Sequence, residues 1–128
     1  MKCAITLEDG VLLIRLSDVI QNADLLELFH LVKDAESRTP ATPHRLTDLT
    51  GLTELRLNFA GMNDVVRLRK ALTFPNSFKS AIVAPEPAQF GFARMFQTLN
   101  DHPQIEIRVF RDLPSAREWL ASPKVVAH

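Results

Sequence analysis

The chain has 128 residues, of which 46% are hydrophobic and 23% are charged. These ordinary globular proportions exclude a disordered or fibrous chain, and the length fits one core, so we expect a single domain over residues 1–128. Fifteen basic residues balance fifteen acidic ones, and the densest basic group, Arg67, Arg69 and Lys70, is predicted to be a solvated helical face. Because no net charge attracts phosphate backbones, we expect no nucleic-acid partner.

The sequence does not indicate a membrane or exported protein. Its longest apolar runs, such as residues 11–14, are far shorter than the ~20 residues that span a bilayer. Glu8 and Asp9 interrupt the first apolar stretch before a signal-peptide core could form. The one cysteine, Cys3, cannot form an internal disulfide and suits a reducing compartment. We therefore expect no transmembrane segment and a cytoplasmic location.

The chain opens with a predicted β-hairpin. Residues 4–7 and 11–16 are rich in apolar side chains, and Glu8-Asp9-Gly10 separates them. An Asp-Gly pair favours the tight turn of a hairpin. Asn22 is the predicted N-cap of the first helix, whose apolar residues follow a 3.6-residue period: Leu25, Leu28, Phe29 and Val32.

The middle of the chain is predicted to hold a short strand and a second helix. Two prolines make residues 37–43 a loop. Residues 45–48 form the short strand, and Asp48-Leu49-Thr50-Gly51-Leu52 is predicted to be the turn that ends it. The second helix ends before Pro75, and its apolar stripe consists of Met62, Val65, Leu68 and Leu72.

The last third is predicted to contain two strands and two helices. Residues 78–84 include an unbroken apolar run, which predicts a strand covered on both faces at the centre of the sheet. Prolines 85 and 87 precede the third helix, with core residues Phe92, Ala93, Phe96 and Leu99. Residues 105–110 alternate apolar and polar side chains, which predicts an edge strand. Asp112 caps the last helix, which buries Ala116, Trp119 and Leu120.

The predicted order of elements is therefore ββαβαβαβα. Strands that alternate with helices imply right-handed parallel crossovers. We predict an α/β fold with a mixed sheet of about five strands, in which an antiparallel hairpin is followed by mainly parallel strands, and with about four helices.

Motifs for catalysis and cofactor binding are missing from the sequence. The four glycines form no G-x-G arrangement, so neither a dinucleotide fingerprint nor a phosphate loop is present, and no serine lies in a G-x-S-x-G motif. Histidines 30, 44, 102 and 128 lack metal-ligand spacing. Cys3 is predicted to be an inert core thiol. We predict no catalytic residue, no cofactor and no metal site.

Three residues are candidates for ligand binding: Asp48, Thr50 and Arg94. Asp48, followed by Thr50, lies at the predicted carboxyl end of a parallel strand, where α/β sheets place ligand sites; the other interpretation is that Asp48 accepts hydrogen bonds from its own turn. Arg94 lies among Phe and Met side chains. It either binds an anionic ligand, pairs with a carboxylate such as Asp48, or extends to water at the helix edge. The aromatic residues around it favour a core or dimer interface over a cofactor site.

Four segments of the chain resemble bacterial STAS/SEC14-type (SpoIIAA-like) domains. Three lie in the second half, at residues 89–96 (QFGFARMF), 105–111 (IEIRVFR) and 116–120 (AREWL). The fourth, residues 48–52 (DLTGL), is similar to the strand end that precedes the functional loop of those domains. The resemblance implies a compact STAS module that serves protein–protein regulation, in some members binds a nucleotide or lipid, and performs no catalysis.

The resemblance also bears on phosphorylation. Anti-sigma-factor antagonists of this superfamily have a phosphorylatable Ser or Thr after an Asp at the start of the second helix. The corresponding residues 55–61 contain no hydroxyl group, and Thr50 and Thr53 are the nearest. We therefore predict no phosphorylation site, because a phosphate switch needs an acceptor oxygen.

Two functional hypotheses follow. The leading hypothesis is a non-enzymatic regulatory or protein-interaction module of STAS type, which we expect to form a homodimer and to bind a protein partner. The alternative is a carrier or sensor that binds a small apolar or anionic ligand, a lipid or a nucleotide, because Arg94 lies among aromatic residues and the resemblance extends to SEC14.

Overall fold

A computed structural model describes residues 2–123 as one five-stranded sheet with four helices. The strands are β1 (Cys3–Glu8), β2 (Val11–Gln21), β3 (His44–Arg56), β4 (Phe78–Val83) and β5 (Ile105–Phe110). The helices are α1 (Asn22–Glu36), α2 (Phe59–Lys70), α3 (Pro87–Leu99) and α4 (Leu113–Ala121). The predicted order of elements is confirmed.

The strands lie in the sheet in the order in which they occur in the chain. β1 and β2 are antiparallel, and each later pair is parallel, as predicted. Asp9 and Gly10 form the hairpin turn with φ angles of 50° and 77°, which an Asp-Gly pair tolerates better than most pairs do. The mixed α/β sheet expected from the sequence is therefore confirmed.

The central strand is β3, so the prediction that residues 78–84 form the centre of the sheet is wrong. β4 is second from the edge, between β3 and β5. All of its residues are nevertheless buried, because helices cover both faces of the sheet at this point. An apolar run in a strand therefore indicates cover on both faces and does not fix the strand's place in the order.

Helices α1, α2 and α3 cover one face of the sheet, and α4 covers the other. Neighbouring residues of β2 show the division, since side chains alternate between the two faces of a strand. Ile14 belongs to a core cluster with Val32 of α1 and Ala93 of α3, whereas Leu13 packs in a second cluster with Leu120 of α4. α2 packs mainly against α1 and α3, and this leaves it at a distance from the sheet.

The predicted turn at residues 48–52 is wrong, because β3 continues through it to Arg56. The pairing with β2 shifts between Asp48 and Gly51, so β3 has a bulge of one extra residue there. Asp48 Oδ1 accepts a hydrogen bond of 2.9 Å from the backbone N–H of Thr50. A side chain at Gly51 would place its Cβ 3.1 Å from the carbonyl oxygen of Leu16. The turn-forming residues therefore bend the strand without ending it.

Two asparagines connect the first turns of α1 and α2. The N-cap of α1 is Gln21, one residue before the predicted Asn22. Asn22 instead donates from Nδ2 to Asn58 Oδ1 at 3.2 Å and accepts from the Asn58 N–H at 3.3 Å. Asn58 in turn caps α2 by accepting from the N–H of Gly61 at 2.8 Å. The starts of the two helices are thus held together by side chains.

The last helix is capped at both ends by polar contacts. Asp112 accepts from the N–H of Ser115 at 2.8 Å, which confirms the predicted N-cap. At the other end, the buried Lys79 ammonium of β4 donates to the carbonyl oxygens of Trp119 and Ser122 at 2.8 Å and 2.7 Å. Because carbonyl groups at a helix end lack partners within the helix, Lys79 satisfies them and fixes α4 to the sheet.

Candidate functional site

A cavity of about 120 Å³ lies between α2 and the sheet. The strands contribute its floor, and α1, α2 and α3 enclose it. Apart from Arg45, Thr47, Arg69 and Ser80, every lining residue is apolar: Ile14, Leu16, Ile20, Leu25, Leu28, Phe29, Val32, Leu49, Leu55, Leu57, Met62, Val65, Ile82, Phe92, Ala93 and Phe96. Several of these side chains, including Leu25 and Leu55, are only half-buried, so the cavity reaches the surface.

The four polar lining residues lie near one end of the cavity. Arg45 and Ser80 are direct partners on β3 and β4, and Thr47 lies two residues after Arg45 on the same face of β3. Arg69 comes from the last turn of α2. The helices run opposite to the parallel strands, so the end of α2 lies over the beginning of β3. The cavity is therefore amphipathic, with a polar end and an apolar end.

Arg45 is paired inside the core. Its Nε and Nη2 atoms donate to the two carboxylate oxygens of Glu36 at 2.5 Å and 2.7 Å, and the side chains are 3% and 8% exposed. The guanidinium also lies 4.7 Å from the centre of the Phe78 ring. A bidentate pair of this kind compensates both charges, so Arg45 already has an anionic partner in the protein.

Arg69 is different, because its Nε atom is buried and has no hydrogen-bond partner among the described residues. Its guanidinium carbon lies 5.5 Å from the centre of the Phe96 ring, a distance at which a cation is attracted to the ring face. Burial lowers the pKa of Arg69 to about 9, and the positive charge of Arg45 adds to the effect. Arg69 therefore still bears its charge at neutral pH.

The charges at this end of the cavity do not cancel. Arg45 and Arg69 contribute two positive charges and Glu36 contributes one negative charge, and the electrostatic effects of Arg45 and Glu36 on Arg69 have opposite signs. The cluster therefore has a net charge of one positive unit beside an apolar cavity. An uncompensated charge in such a setting is costly, and an anion in the cavity would remove the cost.

A second, wider groove of about 270 Å³ lies beside β1. Its charged residue is Arg38, which is largely exposed and already forms an ion pair with Asp34 at 2.5 Å. This groove therefore offers a ligand no unpaired buried charge.

Comparison with solved structures identifies the architecture. A protein of the DUF3478 family with a SpoIIAA-like fold from Shewanella loihica PV-4 matches with a TM-score of 0.59, at 18% identity, over 93% of this chain and 92% of that one. An anti-sigma factor antagonist from Mycobacterium paratuberculosis matches with a TM-score of 0.59, at 15% identity, over 94% and 93%. The chain has a SpoIIAA-like fold. No family model and no curated protein matches its sequence.

The SpoIIAA-like fold that the sequence resemblance implied is thus confirmed. In this fold the parallel strands bring α1, α2 and α3 side by side over one face of the sheet, and the cavity lies beneath α2. In this chain α2 starts from the N-cap Asn58, and residues 55–61 contain no hydroxyl side chain.

The residues predicted to bind a ligand do not form the polar end of the cavity. Asp48 is buried and accepts a hydrogen bond from the Thr50 N–H. This agrees with the alternative interpretation, in which Asp48 binds backbone groups close to it in sequence. The Thr50 side chain is exposed. Arg94 is also exposed and does not line the cavity, whereas its neighbour Ala93 does. In the folded chain Arg94 lies on the outer side of α3, as does the exposed Met95.

The prediction that Arg69 belongs to a solvated face is wrong. Arg67 is exposed and paired with Asp64, but Arg69 lies four residues after the buried Val65, on the same side of α2. The predicted stripe was rotated, since Leu68 is 41% exposed and the buried residues of α2 are Met62, Val65 and Val66. The spacing of seven residues from Met62 to Arg69 is the pattern that could have placed Arg69 on the inner face.

The other sequence predictions about chemistry concern metals and membranes. Within residues 2–123, no group of three or more His, Cys, Asp or Glu side chains could hold a metal ion, and His128 lies outside the described residues. No helix in the same range is long and apolar enough to span a membrane.

Burial raises the pKa of the Cys3 thiol, and the negative charges of Asp24 and Glu27 raise it further.

Proposed function

We propose that this chain is a non-enzymatic regulatory module whose interaction with a protein partner depends on a small apolar ligand in the cavity beneath α2. The observation that supports the proposal best is the cavity itself, which is lined by apolar side chains of three helices and three strands. A pocket of this kind with few polar groups is typical of small-molecule sites.

The position of the cavity supports a regulatory effect. A ligand beneath α2 would contact Met62 and Val65 on the helix and Ile82 on the sheet. It would therefore favour one position of α2 over others, by as much as its affinity for the two positions differs. Regulation by a ligand also suits residues 55–61, which offer no hydroxyl group for a phosphate.

The second half of β3 offers a surface for a protein partner. β4 pairs with β3 only from Arg45 to Asp48, whereas β2 pairs with it as far as Arg56. Residues 49–56 therefore have an edge that is not paired with β4, and such an edge can accept an extended segment of another protein. Because Leu49 and Leu55 also line the cavity, a ligand and a partner would act on the same stretch of strand.

Native mass spectrometry of the purified protein tests ligand binding directly. We expect a fraction with additional mass, and an increase in melting temperature with apolar ligands from a lipid panel. The Ala93→Leu variant places three more carbons in the cavity and should abolish both effects. Its control is Ala88→Leu on the exposed side of α3, which should behave as the native chain. A bare mass and an unchanged melting temperature across the panel would contradict the proposal.

The interaction part of the proposal needs a separate measurement. Light scattering after size-exclusion chromatography tests the predicted homodimer, and affinity capture compares partners retained by the native chain with those retained by Ala93→Leu. We expect Ala93→Leu to lose at least one protein that both the native chain and Ala88→Leu retain. A monomer that captures the same proteins in all three forms would count against regulation by the cavity.

A further inference from the structure

We propose that the occupant of the cavity is a small aliphatic monocarboxylate whose carboxylate is bound by Arg69. This inference rests on the proposed ligand-binding function and adds the chemical class of the ligand. The structure places a cationic side chain without a hydrogen-bond partner for Nε at one end of an otherwise apolar cavity, which is the arrangement that an anion with an aliphatic chain requires.

The headgroup follows from the polar end. A guanidinium donates two parallel hydrogen bonds to a carboxylate, and the Arg45 guanidinium is already occupied in this way by Glu36. Arg69 is the other guanidinium that lines the cavity, and its buried Nε has no hydrogen-bond partner within residues 2–123. The ligand carboxylate would therefore complete a second pair beside the first. Thr47 and Ser80 are also in the lining, and their hydroxyl groups can donate to the same oxygens.

The charge of the ligand follows from the balance of buried charges. Arg45 and Glu36 neutralise each other, so Arg69 leaves one positive unit for the ligand to match. A monoanion matches it, whereas a phosphate monoester would add a further negative charge inside the apolar cavity. An amine would place a third cation beside two arginines. Carboxylate is therefore the headgroup that this cluster selects.

The tail follows from the size and direction of the cavity. An apolar cavity of about 150 Å³ holds one benzene molecule, so a cavity of about 120 Å³ accommodates a chain of about six carbons, and further carbons would extend between the half-buried side chains at the surface. From Arg69 the chain would run toward Met62 and Leu25 near the starts of α2 and α1. Octanoate is a suitable probe.

Isothermal titration calorimetry with octanoate, 1-octanol, octylamine and octyl phosphate tests the inference. We expect the native chain to bind octanoate about tenfold or more tightly than each of the other three. Arg69→Met keeps an apolar side chain of similar length, so the affinity for 1-octanol should be retained. Octanoate should bind this variant more weakly than 1-octanol does, because its charge would have no partner in the cavity. The matched control is Arg67→Met on the same helix, where the arginine is exposed and paired with Asp64, and it should match the native chain.

The outcomes separate this inference from the proposed function. The carboxylate inference is wrong if Arg69→Met still prefers octanoate, or if the native chain prefers 1-octanol, octylamine or octyl phosphate. In either case the proposed apolar ligand site would still be supported, provided that Ala93→Leu abolishes the observed binding. If none of the four compounds binds and the native mass is bare, both are overturned.

Discussion

Arg45 and Glu36 form a bidentate ion pair in which the side chains are 3% and 8% exposed. The pair joins the end of α1 to the beginning of the central strand. Its members differ by nine residues in sequence, so the fold brings together two charges that neither element could hold alone. Because Glu36 pairs with Arg45, it is not available to Arg69, whose Nε has no hydrogen-bond partner in the part of the chain that the structure describes.

Loss of Glu36 is expected to destabilise the protein strongly. Glu36→Gln removes the charge that compensates Arg45. A buried charge that has lost its partner lowers the free energy of unfolding by about 3 kcal/mol or more. The matched control is Asp34→Asn, which breaks the exposed pair with Arg38 and should change the free energy by about 0.5 kcal/mol or less. Chemical denaturation of the three proteins measures both values, and equal losses would contradict the buried pairing.

Loss of Arg69 is expected to stabilise the ligand-free protein. Arg69→Met replaces a half-buried arginine, whose buried Nε has no hydrogen-bond partner among the described residues, with an apolar side chain. This should raise the free energy of unfolding by about 1–2 kcal/mol at pH 7. The pKa of Arg69 is lowered to about 9 by burial, so the unfolded chain binds more protons than the folded one above that pH, and the stability of the native chain rises with pH there.

The advantage of Arg69→Met should therefore shrink as pH increases from about 8 through 9 and beyond. Denaturant titrations of both chains at several pH values give the difference directly, and Arg67→Met serves as the control for general effects of alkaline pH. A difference that stays constant with pH would show that the Arg69 guanidinium is not buried as described.

Asp48 and Thr50 should affect stability more than binding. Asp48→Ala leaves the Thr50 N–H at the bulge without its acceptor and should lower the free energy of unfolding by about 1–2 kcal/mol, whereas Asp48→Asn keeps an acceptor oxygen and should cost less. Thr50→Val changes an exposed side chain and should have little effect. If Asp48→Asn or Thr50→Val abolished octanoate or partner binding in a stable protein, these residues would belong to a site after all.

Cys3 is expected to react slowly with thiol reagents. Burial and the nearby carboxylates of Asp24 and Glu27 raise its pKa, so less of the reactive thiolate is present at neutral pH than in a free cysteine. Labelling with iodoacetamide at pH 7 should be slower in the folded protein than in denaturant, and the gap should narrow as pH rises. Faster labelling of the folded protein would contradict the raised pKa.

The order of the elements could be predicted because each depends on nearby residues. The alternation in residues 105–110, the Asp-Gly turn and the N-cap Asp112 are local patterns, and the structure confirms the elements they predict. The bulge at Thr50 could not be predicted, because it depends on how β3 pairs with β2. The same local sequence is consistent with a turn that ends a strand.

The polar end of the cavity could not be predicted either, because it also depends on contacts between elements that are distant in sequence. Arg45, Glu36 and Arg69 come from three elements, and only the packing of α1 and α2 over the beginning of β3 brings them together. The spacing between Val65 and Arg69 could have placed that arginine on the inner face of α2. It could not have shown that the Nε atom of Arg69 has no hydrogen-bond partner among the described residues. Arg94, which was predicted to bind a ligand because of its aromatic neighbours, is exposed because it lies on the outer side of α3.

The cavity beneath α2 also makes hydrostatic pressure a selective probe of this face of the sheet. Pressure favours states of smaller volume, and the loosely packed region around the cavity of about 120 Å³ is eliminated when the chain unfolds. Compression should therefore perturb the side chains around Met62 well before those between the sheet and α4. A bound carboxylate, or the Ala93→Leu substitution, should make the protein less compressible.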